Sequence, residues 1–195
     1  MGVVAGLIVL LLAAGGWFWS SARQHRGTGA YADAMLKLQQ LAQAGPEARV
    51  AAMSDLEGAL ASYPSNALAP QAAYELGNLR FDAAQYDKAR AAWQITIGRS
   101  NSPTLTTLAK AGIGYAWEAE RKLPEATRAY ETALAELKPT AFYYEELLMD
   151  LARAQELEGK KDAATATYRK ILKDLPRSAR VDDIRTRLAK LGAAP

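Results

Sequence analysis

Carboxylates are the side chains best spaced for chemistry in this chain. Glu145, Glu146, Asp150, Glu156 and Glu158 crowd one stretch, and Glu146 and Asp150 stand four residues apart, on one face of any helix formed there. Such a pair could divide general-acid and general-base work. Arg153 comes three residues after Asp150 as a counter-charge, and no nucleophile or histidine shares the stretch. The pattern therefore reads as a solvated, salt-bridged helix face. The single histidine, His25, lies in a polar stretch without partners and reads as a solvated residue. Trp93, Trp117, Tyr115, Tyr130 and Tyr168 could form an aromatic ligand box, but Trp93, Tyr130 and Tyr168 recur at core positions of a repeat and read as core.

The chain has 195 residues, a net charge of +3 and no cysteine. Without cysteine there is no disulfide, thiolate metal site, cysteine nucleophile or lipidated N-terminal cysteine. The small charge excess is scattered, with none of the basic striping that nucleic acid demands. Phosphate-binding loops, dinucleotide-binding glycines, hydrolase elbows and metalloprotease motifs are absent from the sequence. The expectation is a protein that is not an enzyme, with no metal site, no cofactor and no nucleic-acid partner.

What positions these residues is a repeat. Tyr74–Phe81 and Tyr86–Trp93 read as two short helices broken near Ala84-Gln85, with Gly77 inside the first and Ala89 and Trp93 one turn apart on the second. A glycine inside a helix is about 1 kcal/mol worse than alanine, so a close approach must justify it. The spacing predicts that approach at Ala89, with Trp93 beside it. The pattern returns as Gly114, Ala126 and Tyr130, as Ala152, Ala164 and Tyr168, and in weaker form as Gln40, Ala52 and Leu56. The four alanines are spaced by 37, 37 and 38 residues, which predicts stacked helical hairpins. Breaks at Gly45-Pro46, Tyr63-Pro64, Ser102-Pro103, Lys138-Pro139 and Leu175-Pro176 separate the helices. Gly159 closes another. Val181, Ile184, Leu188 and Leu191 form a last apolar stripe on a half-polar helix that would cap the stack.

Residues 3–19 carry no charge. As a helix they would span about 26 Å, close to a hydrocarbon core of roughly 30 Å. Trp17, Phe18 and Trp19 would lie at the interface. These features predict an uncleaved anchor, a cleaved leader being the competing reading. Arg23 and Arg26 alone would favour a cytoplasmic side for the remainder of the chain. The expected organisation is an anchor at 1–20, a flexible polar linker at 21–29, repeats over 30–176 with the first degenerate, and a capping helix and tail at 177–195.

Leu76-Gly77 early in one helix, Ala89 and Trp93 in the next, then Ala59-Leu60 or Ala133-Leu134 with Pro64 or Pro176 close behind, resemble the tetratricopeptide repeat (TPR), whose usual period is about 34 residues. The resemblance implies an all-α, right-handed superhelix of helix hairpins. It implies a protein-binding groove lined by Gln71, Tyr74, Asn78, Phe81 and Asp82 in the second unit, Leu108, Tyr115 and Glu118 in the third, and Met149 and Arg153 in the fourth. Glu75 and Glu146 occupy places where a TPR clamp for a C-terminal carboxylate wants asparagine or a cation, which argues against such a clamp. A single N-terminal span and then degenerate repeats is an arrangement similar to the YfgM family of ancillary SecYEG translocon subunits. That likeness implies a single-pass protein of the bacterial inner membrane with its repeats in the periplasm. Its partners would be translocon or other envelope subunits and client polypeptides. A structural scaffold for a division or outer-membrane assembly complex is the alternative.

Overall fold

The computed structural model describes the backbone of residues 2–40 and 46–193, and side chains over 17–39 and 47–193. Among the described residues all regular structure is helical: α1 (Gly2–Gln40), α2 (Pro46–Ser62), α3 (Ala69–Asp82), α4 (Tyr86–Arg99), α5 (Pro103–Ala119), α6 (Leu123–Leu134), α7 (Tyr144–Leu157), α8 (Lys161–Asp174) and α9 (Val181–Lys190). The chain divides into two compact units, Met1–Leu76 and Gly77–Pro195, with the division inside α3.

In the first unit α1 packs on α2. Tyr31 and Ala34 of α1 are buried, as are Ala52, Met53, Leu56 and Leu60 of α2. The expected linker at 21–29 is instead part of α1. Its polar residues are engaged at the turn after α2. Asn66 is buried and donates from Nδ2 to the Gln24 carbonyl and to Thr28 Oγ1, both at 3.2 Å. Its Oδ1 accepts from the Leu68 amide at 3.0 Å. Gly27 leaves room for this turn, since a Cβ there would meet Tyr63 and Asn66 at 3.0 Å. Glycine and polar residues suggested flexibility; here they mark a close helix–turn contact. Among the described residues no helix is long and apolar enough to cross a membrane. The expected span over 3–19 falls largely on residues 1–16, whose side chains lie outside the described ones. The expected turn at Gly45 and the side chain of Gln40 lie outside them too.

In the second unit α4 packs on α5, α5 on α6, α6 on α7, α7 on α8 and α8 on α9. The register alanines take equivalent places. Ala89, Ala126 and Ala164 are fully buried, and Ala52 is 1% exposed in its own unit. The aromatics one turn on are also buried: Trp93 at 3%, Tyr130 and Tyr168 at 0%. The glycine hollows receive those aromatic rings themselves, where the sequence suggested that Gly77 faces Ala89. A Cβ on Gly77 would lie 2.5 Å from Trp93 Cδ1, and one on Gly114 would lie 2.6 Å from Tyr130 Cδ1. Gly112 admits Trp93 from the next hairpin, with Cε2 2.8 Å from its hypothetical Cβ.

The hairpin turns repeat as closely. Ala84, Arg121 and Gly159, each five residues before a register alanine, all have positive φ (56°, 62° and 81°). In each turn the next amide reaches back to close the helix: Gln85 to the Arg80 carbonyl at 2.8 Å, Lys122 to Trp117 at 2.9 Å and Lys160 to Gln155 at 2.9 Å. These are left-handed C-terminal caps, and only Gly159 was legible as one. Helix α6 ends at Leu134, and α7 starts at Tyr144, five residues after the break at Pro139.

Candidate functional site

The side chains with the most converging polar contacts lie where α5 meets α7 in the second unit. Asp150 is 6% exposed and takes two hydrogen bonds, one from the Tyr115 hydroxyl at 2.6 Å and one from Arg153 Nη2 at 2.6 Å. Arg153 Nη1 bonds Glu118, whose other oxygen accepts from the Tyr130 hydroxyl at 2.9 Å. The Tyr115 and Tyr143 hydroxyls lie 3.0 Å apart. One guanidinium thus bridges two carboxylates from successive hairpins, with three phenols closing the network. A buried charge survives only when paired and hydrogen-bonded, as Asp150 is here.

The electrostatics reflect burial. Loss of solvent pushes the Tyr115 hydroxyl well above the usual tyrosine range, and the hydrogen bonds to Asp150 and Tyr143 push it further. Burial does the same to Tyr130, with the Glu118 charge beside it. Burial opposes the charge on Arg153, but Asp150 and Glu118 outweigh it and raise its pKa above the ordinary value.

Asp150 corrects the expectation of a solvated carboxylate face. Its register explains the burial. It stands fourteen residues before Ala164, as Gly112 stands before Ala126. Gly112 meets the ring of the preceding hairpin, so this position faces back into the stack. Glu146, four residues earlier, lies half-buried and bonds Arg180 at 2.6 Å. The two carboxylates bond different cations, Arg153 for Asp150 and Arg180 for Glu146. Beside them a cleft of about 280 Å³ runs between α7 and α9, lined by Glu146, Met149, Asp150, Arg153, Arg180 and Arg187, among others. Arg187 reaches Glu156 at 3.7 Å and Asp183 at 3.2 Å. Among the described residues no group of three or more His, Cys, Asp or Glu is placed to hold a metal ion.

Of the expected groove residues, Tyr115, Glu118 and Arg153 meet in this network, and Met149 lines the cleft beside them. Leu108 is half-buried on α5. Asn78 accepts a hydrogen bond from Trp93 Nε1 at 3.3 Å. Phe81 stacks edge-on with Tyr86 at 5.4 Å and packs at 6.0 Å from Trp93, while Asp82 is exposed at the end of α3. Gln71 and Tyr74 belong to the first unit, where Gln71 Nε2 donates to Glu75 at 2.7 Å and Tyr74 is half-buried. Tyr143 escaped the sequence reading. Nothing in its local sequence signals the left-handed backbone, φ 71°, that brings its hydroxyl beside Tyr115. Trp117 is half-buried at the edge of the core, and Arg90 stacks on it with its guanidinium carbon 3.5 Å from the ring centroid.

This arrangement of hairpins is found in solved tetratricopeptide-repeat structures. A tetratricopeptide repeat protein from Parabacteroides merdae ATCC 43184 is similar with a TM-score of 0.66 at 18% identity, over 84% of this chain and 60% of its own length. Pseudomonas aeruginosa pilF is similar with a TM-score of 0.59 at 18% identity, over 82% of this chain and 67% of its own. The likeness establishes the fold, an all-α solenoid of TPR type. The present chain spans only 60% of the length of the first of these proteins. No described protein family and no curated protein matches it.

Proposed function

We propose that this chain is a protein-interaction module held at a membrane, and that it binds partner polypeptides on the α5–α7 face of its second unit. The observation that carries the reading is the convergence of Tyr115, Glu118, Asp150 and Arg153 beside an open cleft that Met149 also lines. Aromatic rings, a thioether and an arginine are the groups over-represented where proteins bind one another. The network presets their geometry, so little side-chain entropy is lost on binding.

The membrane tether rests on the uncharged run 3–19 and on the exposed aromatics that end it, Trp17 at 74%, Phe18 at 72% and Trp19 at 65%. Tethering raises the effective concentration of a partner, so modest affinity suffices. In the finer form of the proposal the module is an adaptor of the inner-membrane translocation machinery with its repeats in the periplasm. A fixed scaffold subunit of an envelope complex would use the same face.

The test is a photoreactive residue at Met149 or, as control, at Thr132 on α6. After irradiation in membranes, crosslinked polypeptides are identified by mass spectrometry. The proposal expects discrete adducts at Met149 and few at Thr132. Equal labelling at both sites would reject the α5–α7 face. Varied adducts would favour an adaptor, and one stoichiometric adduct a scaffold.

A further inference from the structure

The first unit holds a second cleft, of about 230 Å³, between α1 and the turn after α2. Trp19, Ser20, Arg23, Gln24, Tyr63 and Asn66 line it, with Pro64 and Ser65. None of these lining residues is acidic. Arg23 is exposed; its guanidinium lies 5.4 Å from the centroid of the Trp19 ring and donates to the Ser62 carbonyl at 3.3 Å. A guanidinium has five N–H donors in a fork suited to phosphate, so most of its capacity faces the cleft and solvent.

We infer that this cleft is a binding site for the headgroup of an anionic phospholipid. The inference rests on the membrane tether proposed above and adds a ligand and a position to it. Because α1 runs unbroken through this region, the height of Arg23 relative to the apolar run is fixed. Four residues of helix place Arg23 about 6 Å beyond Trp19. The polar layer on each side of a bilayer is itself about 5–7 Å deep. With the aromatic triplet at the edge of the hydrocarbon, Arg23 stands at phosphate depth. The Ser20 and Ser65 hydroxyls offer further donors, and the rings of Trp19 and Tyr63 supply apolar walls for the glycerol. Asn66 ties α1 to the turn through Gln24 and Thr28, so both walls hold their spacing without ligand. A seated lipid would fix the orientation of the first hairpin on the membrane.

The full chain, reconstituted in nanodiscs of mixed phosphatidylcholine and phosphatidylglycerol, is released gently and its retained lipids are read by native mass spectrometry. Retention in vesicles against alkaline carbonate is measured in parallel. The expected result is carbonate-resistant insertion with phosphatidylglycerol enriched over the bulk ratio. Arg23→Gln should lower that enrichment about fivefold, and Arg26→Gln, which removes a cation outside the cleft, should lower it less. Firm insertion with no lipid preference, or equal loss in both variants, would overturn the headgroup site and leave the tether standing. Loss of the protein to carbonate would overturn the tether and this inference together. Arg23-dependent binding of inorganic phosphate by the detergent-solubilised chain, as tight as that of the lipid, would also overturn it, marking a general anion site. Circular dichroism of both variants guards against misfolding.

Discussion

Replacing Gly114 by alanine pits two effects against each other. In an ordinary helix interior the change stabilises by about 1 kcal/mol, through lower chain entropy in the unfolded state and better helix propensity. At Gly114 the new methyl would lie 2.6 Å from Tyr130 Cδ1 and 2.8 Å from Cζ, inside the contact distance of carbon. Tyr130 has no room to retreat. Its ring is fully buried, stacks edge-on with Tyr115 at 5.8 Å, and is tied through its hydroxyl to Glu118 at 2.9 Å. Overpacking of this kind costs about 1–3 kcal/mol and outweighs the propensity gain. Gly114→Ala should therefore lose up to about 2 kcal/mol, while Gly58→Ala, in α2 with nothing within 4 Å of its Cβ, should gain up to about 1 kcal/mol. Urea denaturation monitored by far-ultraviolet circular dichroism measures both. A double-mutant cycle adds a stricter check: Tyr130→Ala should cost less in the Gly114→Ala background than alone, with a coupling above about 0.5 kcal/mol. A Gly114→Ala protein as stable as the Gly58→Ala protein would refute the reasoning.

The same geometry sets the outcome of other perturbations. Arg121 holds a left-handed backbone suited to glycine, so Arg121→Gly should stabilise by about 1 kcal/mol and Gly159→Ala should destabilise by a similar amount, both read from urea midpoints. Tyr130 and Tyr168 have pKa values raised in the fold by burial, so each contributes stability that is complete below the unfolded tyrosine pKa near 10. Above pH 10 the unfolded state ionises first, and stability should fall by about 1.4 kcal/mol per pH unit for each of these two phenols. Tyrosinate absorbance near 295 nm should accordingly rise in two steps, the later one coinciding with loss of helix. Arg153→Met removes the cation bridging Asp150 and Glu118 and should destabilise by about 1–3 kcal/mol, part of which Arg153→Met/Asp150→Asn should restore by removing one of the two orphaned charges.

Much of the fold was written in spacing. Small residue, alanine and aromatic at constant separations suffice to predict hairpins, because only small side chains let helices approach and only a large ring fills the hollow left. Ala89, Ala126 and Ala164 show this in the second unit, each buried with a buried ring one turn on. What spacing hid is of two kinds. The caps at Ala84 and Arg121 use residues that do not signal a left-handed turn, so their likeness to Gly159 emerges only from backbone angles. Residues 21–29 read as a linker because glycine and polar side chains are ambiguous between flexibility and a tight, hydrogen-bonded contact. Asn66, distant in sequence, decides the matter. The α5–α7 site was half legible. Tyr115, Glu118 and Arg153 stand at face positions, but Asp150 was read as solvated because Tyr115, its partner from the preceding hairpin, is distant in sequence.

The central claim is that a ring from the second helix of a hairpin lies directly on a small residue of the first, which sets the positions that face outward for a partner. The α-proton chemical shifts of the glycines test it without any ligand. The account predicts that Gly77, Gly112 and Gly114 are displaced far upfield by the ring currents of Trp93 and Tyr130, while Gly58 and Gly98 stay near ordinary helical values. Ordinary shifts at Gly77 and Gly114 in a folded protein would contradict it.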